Sequence, residues 1–139
     1  MAFTGNFVCN SLSPGLMAGG FNFALGTTDV YRVALYTSSA TLDASTTAYN
    51  TTGEVVATGY TAGGEVVLPV YVSSNGGAYV SFNNASWDAA LTARGALIYK
   101  SGDGGAVCVL DFGADKTSTT VFSIQFPIAT ADQALLRLS

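Results

Sequence analysis

Between Ala93 and Phe112 two apolar runs, ARGALIY and AVCVLDF, flank a Gly-rich loop with an acidic tip, KSGDGG. Each run is short for a stable lone helix and of the usual length for a strand. Neither run alternates. Ala96, Leu97, Ile98 and Tyr99 are all apolar, and so are Val107, Cys108, Val109 and Leu110. A strand apolar on both sides needs cover on both sides. The stretch therefore predicts a central β-hairpin with Ser101–Gly105 as its loop, and the remaining chain must supply the cover.

From Asp29 onward the remaining chain reads as short strands. Val30–Thr37 (VYRVALYT) puts Val30, Arg32, Ala34 and Tyr36 on one face and Tyr31, Val33 and Leu35 on the other. A long Ser/Thr-rich loop over Ser38–Thr52 follows, with a helical turn expected near Ala44–Thr47. Glu54–Thr58 reads as a short strand and Gly59–Gly64 as a turn. Glu65–Val72 reads as a strand whose Pro69 marks an edge or a bulge, because proline cannot donate to a ladder. Asn75-Gly76 is a tight-turn pair, with Ala78–Phe82 as the hairpin return. Beyond the central hairpin, Gly113–Thr120 reads as a loop, and Val121–Phe126 and Ala134–Leu138 as strands. About eight strands with frequent turns predict an all-β fold, a jelly-roll-like antiparallel β-sandwich over residues 29–139. Residues 1–28 form an irregular apolar segment expected to pack on the domain or on a neighbour. A short helix is expected in it, with Ser13 as cap, Pro14 at its first position and Gly19-Gly20 as its end.

Of the 139 residues, 49% are apolar and only 10% are charged, against a usual charged share of about 25%. A surface so poor in charge is cheap to bury in an assembly. Net charge is −4, and Arg32, Arg94, Lys100, Lys116 and Arg137 are dispersed, which argues against nucleic-acid binding. No apolar stretch reaches the length of a membrane helix. The start, MAFTGNFVCN, has neither the basic nor the long apolar part of a secretion signal, so synthesis in a cytoplasm is expected. Cys9 and Cys108 read as small buried hydrophobes, and a disulfide between them is not expected in a reducing compartment.

The chain has no histidine. That removes the Ser-His-Asp triad, the Cys-His dyad and most zinc sites. Nine carboxylates remain, and a glycosidase needs two of them facing each other across a sugar. Asp111 interrupts an apolar run and is expected to pair with Arg94, Lys116 or backbone amides. Asp103 reads as an ordinary turn residue. No catalytic, metal-ligating or cofactor-binding residue is expected. Tyr31, Tyr36, Tyr60, Tyr71, Tyr79, Trp87 and Tyr99 invite a sugar-binding reading, but aromatics in strands more often serve the core or an interface.

The segments YRVALY (31–36), SSATLDASTTAY (38–49), GEVVATGYTAGG (53–64), SWDAALTARGALIYK (86–100) and VLDFGADKTSTT (109–120) resemble a family of small tailed-phage virion structural proteins. The likeness is strongest to the capsid cement, or decoration, proteins of short-tailed phages. It implies a non-enzymatic β-sandwich, a homodimer, that binds the outside of an assembled icosahedral shell, with the major capsid protein as partner and the virion surface as location. No family site motif can be carried over. The expected partner interface is the N-terminal segment through Phe3, Phe7, Leu16, Met17, Phe21 and Phe23. Deletion of residues 2–20 is expected to leave a folded β-domain that no longer decorates capsids. The competing readings are a phage adhesin or fibre-associated carbohydrate-binding module, and a small hydrolase working through paired carboxylates.

Overall fold

The computed structural model describes residues 7–24, 27–74, 76–102, 105–126 and 134–138. In chain order the elements are β1 (Phe7–Val8), α1 (Leu12–Met17), β2 (Tyr31–Tyr36), β3 (Glu65–Val67), β4 (Pro69–Ser74), β5 (Gly77–Phe82), β6 (Ala85–Trp87), β7 (Thr92–Lys100), β8 (Ala106–Thr117), β9 (Phe122–Ile124) and β10 (Leu136–Leu138). They form an all-β sandwich. A five-stranded sheet in the order β1-β8-β7-β2-β3 faces a three-stranded sheet, β10-β5-β4, and a two-stranded one, β6-β9. The described strand pairs are antiparallel.

The central hairpin is β7–β8, flanked by β2 on one side and β1 on the other. Its continuous apolar character has the expected consequence: the large sheet is covered on both faces. On one face Tyr31, Val33, Leu35, Ala96, Ile98 and Cys108 meet Val80 and Phe82 of β5, Trp87 of β6, and Phe122 and Ile124 of β9. On the other face Ala34, Tyr36, Leu97, Tyr99 and Val109 meet Ala40, Leu42 and Tyr49 of the long 38–53 loop, together with Cys9. Each fully buried Val, Leu or Ile contributes about 1.5–3 kcal/mol relative to exposure, so both layers matter to stability. The loop thus serves as a third layer. Cys108 pairs with Val8 across β1 and β8, so Cys9, one residue on, faces the opposite core. Both thiols are buried and free.

Several local expectations need correction. The second strand of the hairpin does not stop at Phe112; β8 runs on to Thr117, through residues whose pattern predicts a loop. Thr92 pairs with Thr117 and Ala93 with Lys116 after a register shift between Ala93 and Gly95. Gly113, at φ +83°, supplies the backbone that shift requires. The ladder rather than burial holds this exposed polar end, and hydrophobic pattern cannot reveal such a strand. Glu54–Thr58 is not a strand: Glu54 makes a single bridge to Tyr36, and its buried side chain bonds to the neighbouring turn instead. Glu65–Val72 is two strands. The chain leaves the large sheet after Val67 and enters the small one at Pro69, on its edge strand β4. Near Ala44–Thr47 there is a hydrogen-bonded turn, Thr46 N–H to the Asp43 carbonyl at 3.0 Å, and no helix. Helix α1 begins after Ser11, not Ser13, and no side chain caps it. The Ser11 hydroxyl instead donates to the Ala106 carbonyl at 2.8 Å, pinning the helix start to β8. The helix ends as expected, at Gly19 with φ +80°.

The described N-terminal residues are integral to the sandwich. Phe7 and Val8 pair with Val109 and Cys108 as the edge of the large sheet, and Cys9 and Leu12 are buried in the two cores. A chain shortened by residues 2–20 would lose these contacts, so the structure argues against the expectation that it stays folded.

Candidate partner-binding surface

An apolar groove of about 540 Å³ lies between the N-terminal segment and the small sheet. Its walls are Leu12 and Leu16 of α1, Phe21 and Phe23 of the following segment, and Tyr71, Val80 and Leu136 of β4, β5 and β10. Every residue lining it is uncharged. Strand register explains the small-sheet side, because Val80 pairs with both Tyr71 and Leu136 and alternation sends all three to one face. Helix periodicity explains the other side: Leu12 and Leu16 are four apart and share a face. A Cβ on Gly15 would collide with the Phe21 ring, so only glycine there lets that ring lie against the helix.

A polar clamp holds the segment after α1. The Asn22 N–H donates to Asp29 Oδ2 at 2.9 Å and to the Tyr31 hydroxyl oxygen at 3.0 Å, and the Tyr31 hydroxyl donates to the Asn22 carbonyl at 2.9 Å. Lys100 Nζ donates to the Gly20 carbonyl at 2.8 Å and lies 3.6 Å from Asp29 Oδ1. Phe23 then stacks on Tyr31, with ring centroids 4.9 Å apart. The groove is thereby built on the central sheet itself, and its wall is preformed. A second concavity, about 690 Å³, lies between the end of β8 and β9, and its lining mixes Ser and Thr residues with Phe112, Val121, Phe122 and Ile124 and with Lys116 and Gln125.

The six expected interface residues fare differently. Phe3 lies outside the described residues. Phe7 is placed by its backbone in β1. Leu16 and Phe21 are half-buried groove walls. Phe23 is a groove wall and a core residue at once. Met17 stands 91% exposed at the end of α1. Tyr71 belongs with them, although the sequence marks it only as one strand aromatic among several. Its signal was the position beside Pro69, which marks the sheet edge.

Sequence reasoning missed one cluster altogether. Glu54, 7% exposed, accepts hydrogen bonds from the Tyr49 hydroxyl at 2.6 Å, the Tyr60 hydroxyl at 2.5 Å and the Gly63 N–H at 2.8 Å. The Tyr60 oxygen also accepts from the Leu35 N–H at 2.9 Å, and the Tyr99 hydroxyl donates to the Gly63 carbonyl at 2.7 Å. Tyr49 stacks on Tyr99 at 4.5 Å. Burial first, then the hydrogen bond to Glu54, push the Tyr60 and Tyr49 phenols well above their ordinary range. The cluster ties the 38–53 loop and the 59–64 turn to β2 and β7. A buried carboxylate with three donors is a satisfied structural anchor. Its only sequence signal is a lone Glu among apolar and small residues.

Asp111 pairs with Arg94, one of the partners expected for it, and also accepts from the Gly113 N–H at 2.8 Å. Asp103 lies outside the described residues. Among those described, no three His, Cys, Asp or Glu residues converge as a metal site would need. No described helix is long and apolar enough to cross a membrane. Comparison with family models, curated proteins and solved structures returns no match.

Proposed function

We propose that this chain is a virion structural protein that binds the outside of an icosahedral phage capsid and stabilises it as cement, bridging subunits of the major capsid protein. The observation that carries the proposal is the preformed, uncharged groove, whose wall includes Tyr71 at 47% exposure, together with Met17, 91% exposed at the end of the helix that forms one wall. A monomer in water gains nothing from such a surface, whereas an assembly that covers it gains apolar burial. The low charge keeps the desolvation cost of several contacts small, and many weak contacts add through multivalency. The likeness of Tyr31–Tyr36 and the segments after it to phage virion proteins supplies the kind of partner. The carbohydrate reading is less well supported: Tyr31, Tyr36, Tyr60, Trp87 and Tyr99 are core residues, not a sugar platform.

The test is co-sedimentation of the purified chain with emptied capsids of the virus that encodes it, followed by electron cryomicroscopy. The expected result is regular extra density on the outer shell. Met17→Asp is expected to weaken binding about tenfold or more, equivalent to at least about 1.4 kcal/mol, with an unchanged melting temperature. Absence of co-sedimentation, or density only on the tail, would overturn the proposal.

A further inference from the structure

The small sheet has two outer strands, and they differ in charge. Strand β10 carries Arg137, while β4 (PVYVSS) carries no charge at all. Edge strands are ordinarily guarded by charge or by a covering element, because an open edge pairs with other strands. Among the described residues no strand pairs with the outer side of β4.

The groups that face outward can be worked out from the ladder. The Asn83 N–H donates to the Leu68 carbonyl at 3.1 Å, which makes the position ahead of Pro69 a hydrogen-bonded one toward the β5 side. Bonding positions alternate along an antiparallel strand. Val70 and Val72 therefore bond inward to β5, and the N–H and C=O groups of Tyr71 and Ser73 point to the open edge. Pro69, which has no N–H, falls at an outward position too and costs the β4–β5 ladder nothing.

We infer that β4 pairs antiparallel with β4 of a second copy of this chain, about a two-fold axis through Val72, joining the two small sheets into one of six strands. Tyr71 and the partner's Ser73 exchange two backbone hydrogen bonds, and symmetry repeats them, giving four. Val72 meets the partner's Val72 at a non-hydrogen-bonded position, where Cα atoms approach to about 4.5 Å and side chains touch. The strand is self-complementary because pairing brings no like charges together. Val70 and Val72, 45% and 39% exposed, and Tyr71 gain cover on pairing. Tyr71 also lines the groove, so the two grooves adjoin across the axis. One strand edge buries less than the roughly 800 Å² per partner of a standard interface, so a weak, reversible dimer is expected. The inference does not depend on the capsid reading.

The test is sedimentation equilibrium of the full chain over a wide concentration range. A reversible dimer is expected. Val72→Lys sets two ammonium groups against each other, and Ser73→Pro removes an outward N–H while sparing the β5 ladder. Each is expected to weaken dimerisation at least tenfold with far-UV circular dichroism unchanged. Val72→Cys is expected to form a covalent dimer on mild oxidation, since a close non-bonded pair suits a disulfide and both native thiols are buried. Val56→Cys, on a residue 97% exposed in a loop, is expected to stay monomeric under the same conditions. A wild-type chain monomeric throughout, a dimer indifferent to Val72→Lys, or equal cross-linking of the two cysteine variants would each overturn the inference.

Discussion

Glu54 shows how one residue can organise a loop. Three donors converge on a buried carboxyl group. Glu54→Gln keeps the shape but turns one acceptor oxygen into a donor, so at least one of the three hydrogen bonds is lost and a buried polar group is left unpaired. The expected cost is about 2–3 kcal/mol, read from the shift of the urea midpoint at constant slope. The tyrosines of this cluster, with Tyr36 and Cys9, set the alkaline limit. Burial, chiefly, raises the phenols of Tyr36, Tyr49, Tyr60 and Tyr99, and burial pushes the Cys9 thiol up to about 12. A proton held more tightly in the folded state is given up first by the unfolded one. These groups therefore contribute fully below the ordinary thiol and phenol values of 9.0 and 10.0, and the contribution is lost as pH rises toward the folded values. Tyrosinate absorbance from these four phenols is expected to appear together with loss of far-UV circular dichroism. Ionisation of these phenols in a chain with intact dichroism would contradict this.

At the scale of elements, the turn 59–64 is the joint between the loop layer and the large sheet. Gly64 sits at φ +79°, and a Cβ there would run into the Val33 carbonyl oxygen. Its own carbonyl accepts from Arg32 Nη1 at 3.1 Å. Gly64→Ala combines a left-handed backbone with a clash against backbone that cannot rotate away. It is expected to cost about 2 kcal/mol or more, measured as a fall in melting temperature. Gly15 differs, because the atoms a Cβ would meet belong to the Phe21 ring, which can swing aside into the groove. The one position guards the fold and the other guards the shape of the groove.

Taken whole, the molecule is a sheet with two roofs. One roof is made of strands and the other of a loop pinned by tyrosines. The N-terminal segment closes the corner between them, with the Cys9 N–H bonded to the Val107 carbonyl at 3.0 Å and the Asn10 N–H to the Ala44 carbonyl at 2.7 Å. Deletion of residues 2–20 therefore opens both cores. Loss of Leu12 alone is expected to cost about 1.5–3 kcal/mol against a typical total of about 5–15. The shortened chain is expected to bind an apolar dye and to melt without a cooperative transition; a sharp melt near that of the full chain would contradict this.

The order of apolar and polar residues was enough to settle the β class, the central hairpin over Ala93–Phe112 and the need for cover on both its faces. It also marked Pro69 as an edge or a bulge, the helix end at Gly19, the burial of both cysteines and the need of Asp111 for a partner, with Arg94 among those expected. All of these follow from local chemistry: a missing N–H, a missing Cβ, a run too apolar to meet water. Tertiary structure alone decided that Glu54 is an anchor, that β8 continues through polar residues to Thr117, and that the 65–72 run changes sheets at Leu68. It also decided that Phe23 is core while Met17 is surface. Each of these depends on which groups distant in sequence lie opposite one another, and a ladder partner or a hydrogen-bond donor from another turn leaves no mark in the residues beside it.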